Sequence, residues 1–441
     1  MNPLPIHSRA DCQALDRADA LAGLKSQFDL PPGVIYLDGN SLGVLPSATP
    51  ARVAQVLTQE WGQDLIRSWN SAGWIDMPAR VGNKIARLVG ARNGELVVAD
   101  STSVNLYKVL SAALQIAKQD RPGARWVVSE RSNFPTDLYI AQSLCRQHGL
   151  ELKLVDEPEQ LPQSLQDCAV LMLTHVNYRT GRMHDMAALT RSAHAAGALV
   201  VWDLAHSAGA VPVDLHAAKA DFAVGCGYKY LNGGPGAPAF VWAHPRHAER
   251  FWQPLSGWMG HDAPFAFTPD YRPAPGVRRY LCGTPAVIGM AALECGVDTV
   301  LAAEPLGGMA ALRAKSLALT ETFIHLVETR CGTLAATDLG VRLASPRAGA
   351  LRGSQVSLVL HAPLQHAGYA VVQALIARGV IGDFRAGDSE RLSEVPHILR
   401  FGFTPLYLSF AEVWDAVEHL HQVLGQQEWQ NPKFHQTASV T

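Results

Sequence analysis

The chain has 441 residues, 48% of them hydrophobic and 17% charged, which is enough to bury more than one core, so two or three domains are expected. A formal net charge of -2 and the lack of any Lys/Arg run argue against nucleic acid or an anionic membrane as partner and leave small molecules as the ligand class. The seven cysteines are dispersed with no Cys-x-x-Cys pair, the first residues lack the order of a signal peptide, and no apolar run reaches membrane-spanning length, so a cytoplasmic protein with reduced thiols is expected.

Helical periodicity over 8–28, with Ala14, Leu15, Ala18, Leu21 and Leu24 on one side and Ser8 or Asp11 as a cap, predicts a first helix that stops before Pro31 and Pro32. A strand-like run at 34–37 then enters Asp38-Gly-Asn-Ser-Leu-Gly43. Within it, Gly39 to Gly43 formally matches the Gly-x-Ser-x-Gly elbow of serine hydrolases, with Ser41 as nucleophile. That elbow needs a helix directly after the serine, whereas Pro46 and Pro50 follow here, so a turn that meets a ligand through its backbone and hydroxyl fits better. Helices are expected over 51–70 and 78–90, with Trp61 assigned to the core and Trp69 left open.

Residues 96–110 run from β-like side chains through Asp100-Ser-Thr-Ser103 into an amphipathic helix. Such a helix start offers N–H and O–H donors to a phosphate, although capping by Ser or Thr explains it as well. From 125 to 215 apolar strands alternate with helices, and each strand ends in a polar cluster: Phe134 to Asp137, Thr174, then Asp203 to His206. This pattern predicts a mostly parallel sheet with a site along its carboxyl edge. The next apolar run, at 221–225, stops at Lys229, which lies between two pairs of glycines. Those glycines would let the backbone turn sharply and a flat ligand come close, and a buried amine at a strand end is a nucleophile toward carbonyls. A surface lysine in a turn is the plainer reading.

The histidines show no metal-ligand spacing, and neither a phosphate-binding Gly-x-x-x-x-Gly-Lys loop nor a complete dinucleotide fingerprint occurs, so no metal or nucleotide is expected. Beyond 240 the chain reads as loop, followed by helix over 285–328 with an interruption near Pro305. Strands near 341–343, 355–361 and 398–403 and helices over 368–378 and 410–424 make a small α/β domain. The expected division is an N-terminal helix and arm (1–46), a large domain (47–308), a small C-terminal α/β domain (309–427) and a disordered tail (428–441).

Taken together, the strand-end groups suit one cofactor. Pyridoxal 5'-phosphate needs a lysine for its Schiff base, a carboxylate for its pyridine nitrogen, an anion site for its phosphate and an aromatic face. The runs 37–43, 100–106, 134–137, 203–206, 227–236 and 257–261, above all Gly227-Tyr-Lys-Tyr-Leu-Asn-Gly-Gly-Pro-Gly236, resemble those of the kynureninase family, fold-type I pyridoxal-phosphate enzymes of the class V aminotransferase group. The resemblance covers nearly the whole chain up to the last helix. It implies a large domain with a mostly parallel sheet flanked by helices, a small α/β domain, and a homodimer with the active site at its interface.

The resemblance makes Lys229 the Schiff-base lysine, Asp203 the partner of the pyridine nitrogen and Phe134 the stacking ring. Thr102, Ser103, Thr136, Asp137, Thr174, His206, Tyr228, Trp258 and Thr284 match cofactor-binding positions, Thr284 toward the neighbouring subunit. Ser41, Trp69 and Arg400 match substrate-binding positions, with Arg400 taking the α-carboxylate, and Tyr228 is a candidate for proton transfer as well. The implied reaction is hydrolysis of L-kynurenine to anthranilate and L-alanine. Animal members carry histidine and asparagine where this chain has Trp69 and Thr284, the latter preceded by Gly283, so 3-hydroxykynurenine is expected to be the poorer substrate. A cysteine desulfurase is the nearest alternative, but no cysteine follows Cys331 and the loop 346–353 offers no nucleophile.

Overall fold

A computed structural model describes residues 6–332, 336 and 338–436. The chain divides into two compact units, one formed by 48–178 and 184–301, the other by 1–47, 179–183 and 302–441.

The first unit is built on a seven-stranded sheet. Its strands in chain order are β1 (Leu96–Ala99), β2 (Trp126–Glu130), β3 (Glu151–Val155), β4 (Cys168–Thr174), β5 (Leu199–Asp203), β6 (Phe222–Gly225) and β7 (Ala239–Ala243). The spatial order is β1-β7-β6-β5-β4-β2-β3, and only β7 runs antiparallel to its neighbours. Strands β4, β6 and β7 are buried along their whole length, which is why they read as continuous apolar runs instead of alternating ones. The helix Thr102–Asp120 buries Leu106, Val109, Leu110 and Ala113 in a core shared with Val170, Val201, Val224 and Val241 of the sheet. Strand β7 was not expected. Its five residues follow the Pro/Gly-rich stretch 233–238, which masks a short strand from periodicity alone.

The helix expected over 51–70 is broken. It runs as Thr49–Gln55, widens to a π-helical turn at Val56–Trp61, and ends in short turns at Leu65–Arg67 and Ser68–Ser71. Buried Glu60 explains the break: its carboxylate accepts from Arg52 and from Trp74 Nε1 at 2.7 Å, and its carbonyl accepts from Ser68 Oγ at 2.6 Å. These bonds hold the turn open at the cost of helical geometry. As a result Trp61 is 58% exposed and is not part of the core.

In the second unit, an antiparallel sheet orders its strands as Asp383–Arg385, Ile398–Gly402, Gln355–Leu360 and Val341–Leu343. A separate parallel pair joins Ile35–Tyr36 to Val380–Ile381. The N-terminal arm therefore belongs to the same compact unit as the C-terminal domain. Ser8 opens the first helix with a capping box, and Arg9 of that helix reaches Asp415 of the last one at 2.7 Å. Residues 428–436, expected as the start of a disordered tail, form two short turns and bury Phe434.

Candidate active site

In the first unit the parallel strands deliver their functional groups at the carboxyl edge of the sheet. Thr174 and Asp203 end β4 and β5 and sit side by side in register, and Asp203 is paired with Val224 of β6. Asp203 accepts from Ala205 N at 2.7 Å, while its carbonyl holds His175 N at 2.9 Å. These bonds fix the turn that carries His206. Beyond β6, Lys229 Nζ lies 2.9 Å from His206 Nε2 and 5.7 Å from the centre of the Tyr228 ring.

One cavity of about 70 Å³ is lined by Thr102, Ser103, Phe134, Thr136, Asp137, Thr174, Asp203, His206, Tyr228 and Lys229, together with Tyr178 and Ala205. Ten residues singled out in the sequence thus share one wall. Burial and the neighbouring Asp203 push the Asp137 carboxyl well above the usual carboxylate range. Asp203 is raised by burial and drawn back by Lys229 and the Ala205 N–H, and it accepts a hydrogen bond from Asp137. Burial thus raises both carboxyls, while their shared hydrogen bond raises Asp137 and draws Asp203 down.

The helix that starts at Thr102 has a defined entry. Ser101 caps it through Val104 N, Asn105 Nδ2 returns to Ala99 O at 2.7 Å, and buried Lys108 pairs with Asp100 and donates to Tyr280 O at 2.7 Å. The backbone N–H groups of the first turn, with the hydroxyls of Thr102 and Ser103, are donors of the kind a phosphate requires. Phe134 is 40% exposed and held edge-on by Tyr178 at 5.3 Å. Pyridoxal phosphate fits this donor set: a primary amine, a buried carboxylate for a pyridinium N–H, an exposed ring face and an anion site stand on one wall.

Trp258 and Thr284 do not line that cavity. Thr284 borders a larger one, of about 450 Å³, which shares Thr102 and Tyr228 with the first. Trp258 instead stacks among aromatic side chains, 5.9 Å from Trp69 and 5.6 Å from Phe265. Among the glycines beside Lys229, Gly234 turns the backbone at φ 84° as expected, whereas Gly227 and Gly233 answer to packing. A Cβ on Gly227 would lie 2.4 Å from Pro238 O, and one on Gly233 would lie 2.7 Å from both Gly227 O and Leu293 Cδ1. Close packing of the loop on itself and on Leu293 requires them.

In the second unit, Ser41 and Arg400 meet. Arg400 is 1% exposed and pairs in register with Asp383 on the adjacent strand, with Nη2 donating to Asp383 Oδ2 at 2.5 Å and to Ser41 Oγ at 2.6 Å. With its amide oriented to satisfy its neighbours, Asn40 accepts from Arg400 Nε at 2.9 Å and donates to Asp38 Oδ1 at 3.3 Å. Arg385 adds a second guanidinium, 2.7 Å from Asp383. Ser41 is followed by a turn and not by a helix, the next helix beginning at Thr49, and its hydroxyl meets Arg400, Arg385 and Asp38. These contacts contradict the serine-hydrolase reading, which needs a helix after the serine and a base beside it.

Sequence reasoning missed Asn133, Asp38, Asp383 and Arg385. Asn133 bonds Phe134 N at 2.7 Å and receives the Thr174 hydroxyl, so it aims both side chains. Its position one residue before Phe134 was the available signal.

A family model described as "Aminotransferase class-V" matches residues 35–348, and one described as "Kynureninase C-terminal domain" matches 312–420. A protein named Kynureninase from Pseudomonas fluorescens is 56% identical over 98% of this chain and 100% of its own length. Another, from Burkholderia pseudomallei (strain 1106a), is 54% identical over 99% and 100%. Among solved structures, an apo cysteine desulfurase from Thermococcus onnurineus NA1 superposes with a TM-score of 0.74 at 19% identity, covering 92% of this chain and 98% of its own. A C-DES mutant with glycine covalently linked to its PLP cofactor also gives 0.74, at 15% identity and 90% and 98% coverage. At such identities these two likenesses concern the fold alone.

Proposed function

Since the chain belongs to the kynureninase family within the class V aminotransferases, we infer that it hydrolyses L-kynurenine to anthranilate and L-alanine with pyridoxal 5'-phosphate, breaking the Cβ–Cγ bond. The observation that carries this reading is the joint presence of Lys229, His206, Asp203 and Asp137 on one wall in a chain whose relatives of that name match it end to end. When bound, pyridoxal phosphate supplies an electron sink for charge that develops next to the substrate's amine-bearing carbon.

Lys229 would hold the cofactor through its amine and, once the substrate is in place, would move the proton at the substrate's Cα. Asp203 would face the cofactor's pyridine nitrogen, with Asp137 and Thr174 beside it, while Phe134 would offer the ring a face. Thr102 and Ser103 would take the phosphate side, Thr136 and Trp258 match further cofactor-binding positions, and His206 would position the Lys229 amine. Tyr228 hands protons to the leaving carbon, and Thr284 serves the neighbouring subunit of a cytoplasmic homodimer. Arg400, with Ser41, takes the substrate's α-carboxylate, for which its planar fork is suited.

Trp69 faces the aryl group, and its indole offers little to a ring hydroxyl. Catalytic efficiency toward 3-hydroxykynurenine is expected to fall at least tenfold below that toward kynurenine, on the order of one lost or unmade hydrogen bond; equal efficiencies would refute this part. The central reading is tested by the visible spectrum of the purified protein and of Lys229→Ala, together with anthranilate release. Retention of both the absorbance and the activity in Lys229→Ala would overturn it.

A further inference from the structure

Around Ser41 the second unit gathers two guanidiniums and two carboxylates in a nearly closed shell. Arg400 touches Asp383 and lies 3.9 Å from Asp38; Arg385 touches Asp383; Asp38 accepts from the Ser41 hydroxyl and from the Asn40 amide. Asp383 is 3% exposed, and the Asp38 side chain 16%. The other titratable groups at this spot are phenols, with Tyr36 on the preceding strand and the Tyr407 hydroxyl against Gly39. Formal charges cancel when both carboxylates are ionised. A third carboxylate arriving at Arg400 leaves the shell one negative charge in excess, in surroundings too buried for water or salt to screen it.

We propose that Asp38 takes up one proton when a substrate carboxylate binds at Arg400, so that the site binds the amino acid together with a proton. This rests on the reading of Arg400 as the carboxylate site. The balance at this site is simple: one proton passes from solvent to the Asp38 carboxylate, and the ligand's carboxylate forms and breaks no covalent bond. Asp38 is the member that changes state, because Asp383 is held by Arg400 at 2.5 Å and by Arg385 at 2.7 Å, whereas Asp38 has only a looser pairing with Arg400 at 3.9 Å. Burial and the neighbouring Asp383 push the Asp38 carboxyl up to about 7, with Arg400 and the Ser41 hydroxyl opposing them. The sign follows. Below pH 7 Asp38 already carries its proton and binding costs no uptake; above pH 7 the proton must be captured, and affinity for the carboxylate falls as pH rises.

The test uses holoenzyme titrated calorimetrically with L-alanine, which carries the same α-carboxylate, in paired buffers of different ionisation enthalpy at pH 6 and pH 8. Wild type is expected to take up about one proton per site more than Asp38→Asn at pH 8 and the same number at pH 6, with its dissociation constant rising up to about tenfold per pH unit above 7 relative to the variant. Asp383→Asn, which removes the neighbouring charge, serves as an independent variant and should also reduce the uptake at pH 8. Equal uptake in wild type and both variants overturns the proposal. An Arg400→Lys holoenzyme separates the two levels: alanine affinity unchanged in that variant refutes the carboxylate assignment itself, whereas affinity lost with proton uptake unaltered by Asp38→Asn refutes only the linkage.

Discussion

Tyr228 borders two cavities of the first unit and adjoins Lys229 in sequence, which is the basis for proposing that its hydroxyl serves both the phosphate and the reacting carbon. A phenol with two duties separates them on mutation. Tyr228→Phe is expected to lower turnover by roughly 10²–10⁴-fold, the span of a lost general acid or base, while the cofactor dissociation constant changes by less than about tenfold, as for one neutral hydrogen bond. Stopped-flow turnover alongside cofactor titration monitored by absorbance measures both. Asp137 and Asp203 illustrate what a sequence conveys at this scale. Their residue types and positions were readable, but the opposite pull of their shared hydrogen bond, up for Asp137 and down for Asp203, depends on burial and contact that only packing creates.

At the scale of elements, the turn 38–43 and the strand Ile398–Gly402 work as one piece. Leu37 bridges them, with its N–H on Ile381 O at 2.8 Å and its carbonyl accepting from Gly402 N at 2.6 Å. A Cβ on Gly402 would lie 2.1 Å from the amide of Asn40, the group that binds both Arg400 and Asp38. Gly402→Ala is thus expected to cost about 1–3 kcal/mol through overpacking and to lower the melting temperature by roughly 2–10 °C. It should also raise KM for kynurenine, because Asn40 must leave Arg400; thermal melts and steady-state kinetics read the two effects. Strands β1 to β6 were legible because each is an apolar run bounded by turn residues, and their ends located Thr174, Asp203 and Lys229 directly. Strand β7, the broken helix at 56–61 and the Asp383–Arg400 pair were not, because each is decided by partners distant in sequence: β1 and β6 for β7, Trp74 for Glu60, and the facing strand for Arg400. Motif resemblance supplied Ser41 and Arg400, whereas Asp38, Asp383 and Arg385 carry no local signature that marks them.

The whole molecule combines a unit holding Lys229 with a unit holding Arg400, and the proposed homodimer adds Thr284 to a neighbouring phosphate site. If the dimer is the active form, specific activity should fall on dilution in step with dissociation followed by sedimentation, and Thr284→Ala should weaken cofactor binding by roughly one hydrogen bond, about 0.5–1.5 kcal/mol. Activity constant through complete dissociation would exclude an interface site. One feature of the second unit also bears on how the chain is made. Ile35 pairs with Val380, and the first helix is tied to the last, so these partners of the N-terminal arm appear only when nearly the whole polypeptide exists. At ordinary elongation rates the ribosome needs on the order of 20–70 s to cover that distance. During that interval the first unit, whose strands lie within one contiguous stretch, has time to form, while the arm waits as an unpaired segment with its apolar side uncovered. Nascent chains halted before residue 380 should therefore engage chaperones through residues 9–37.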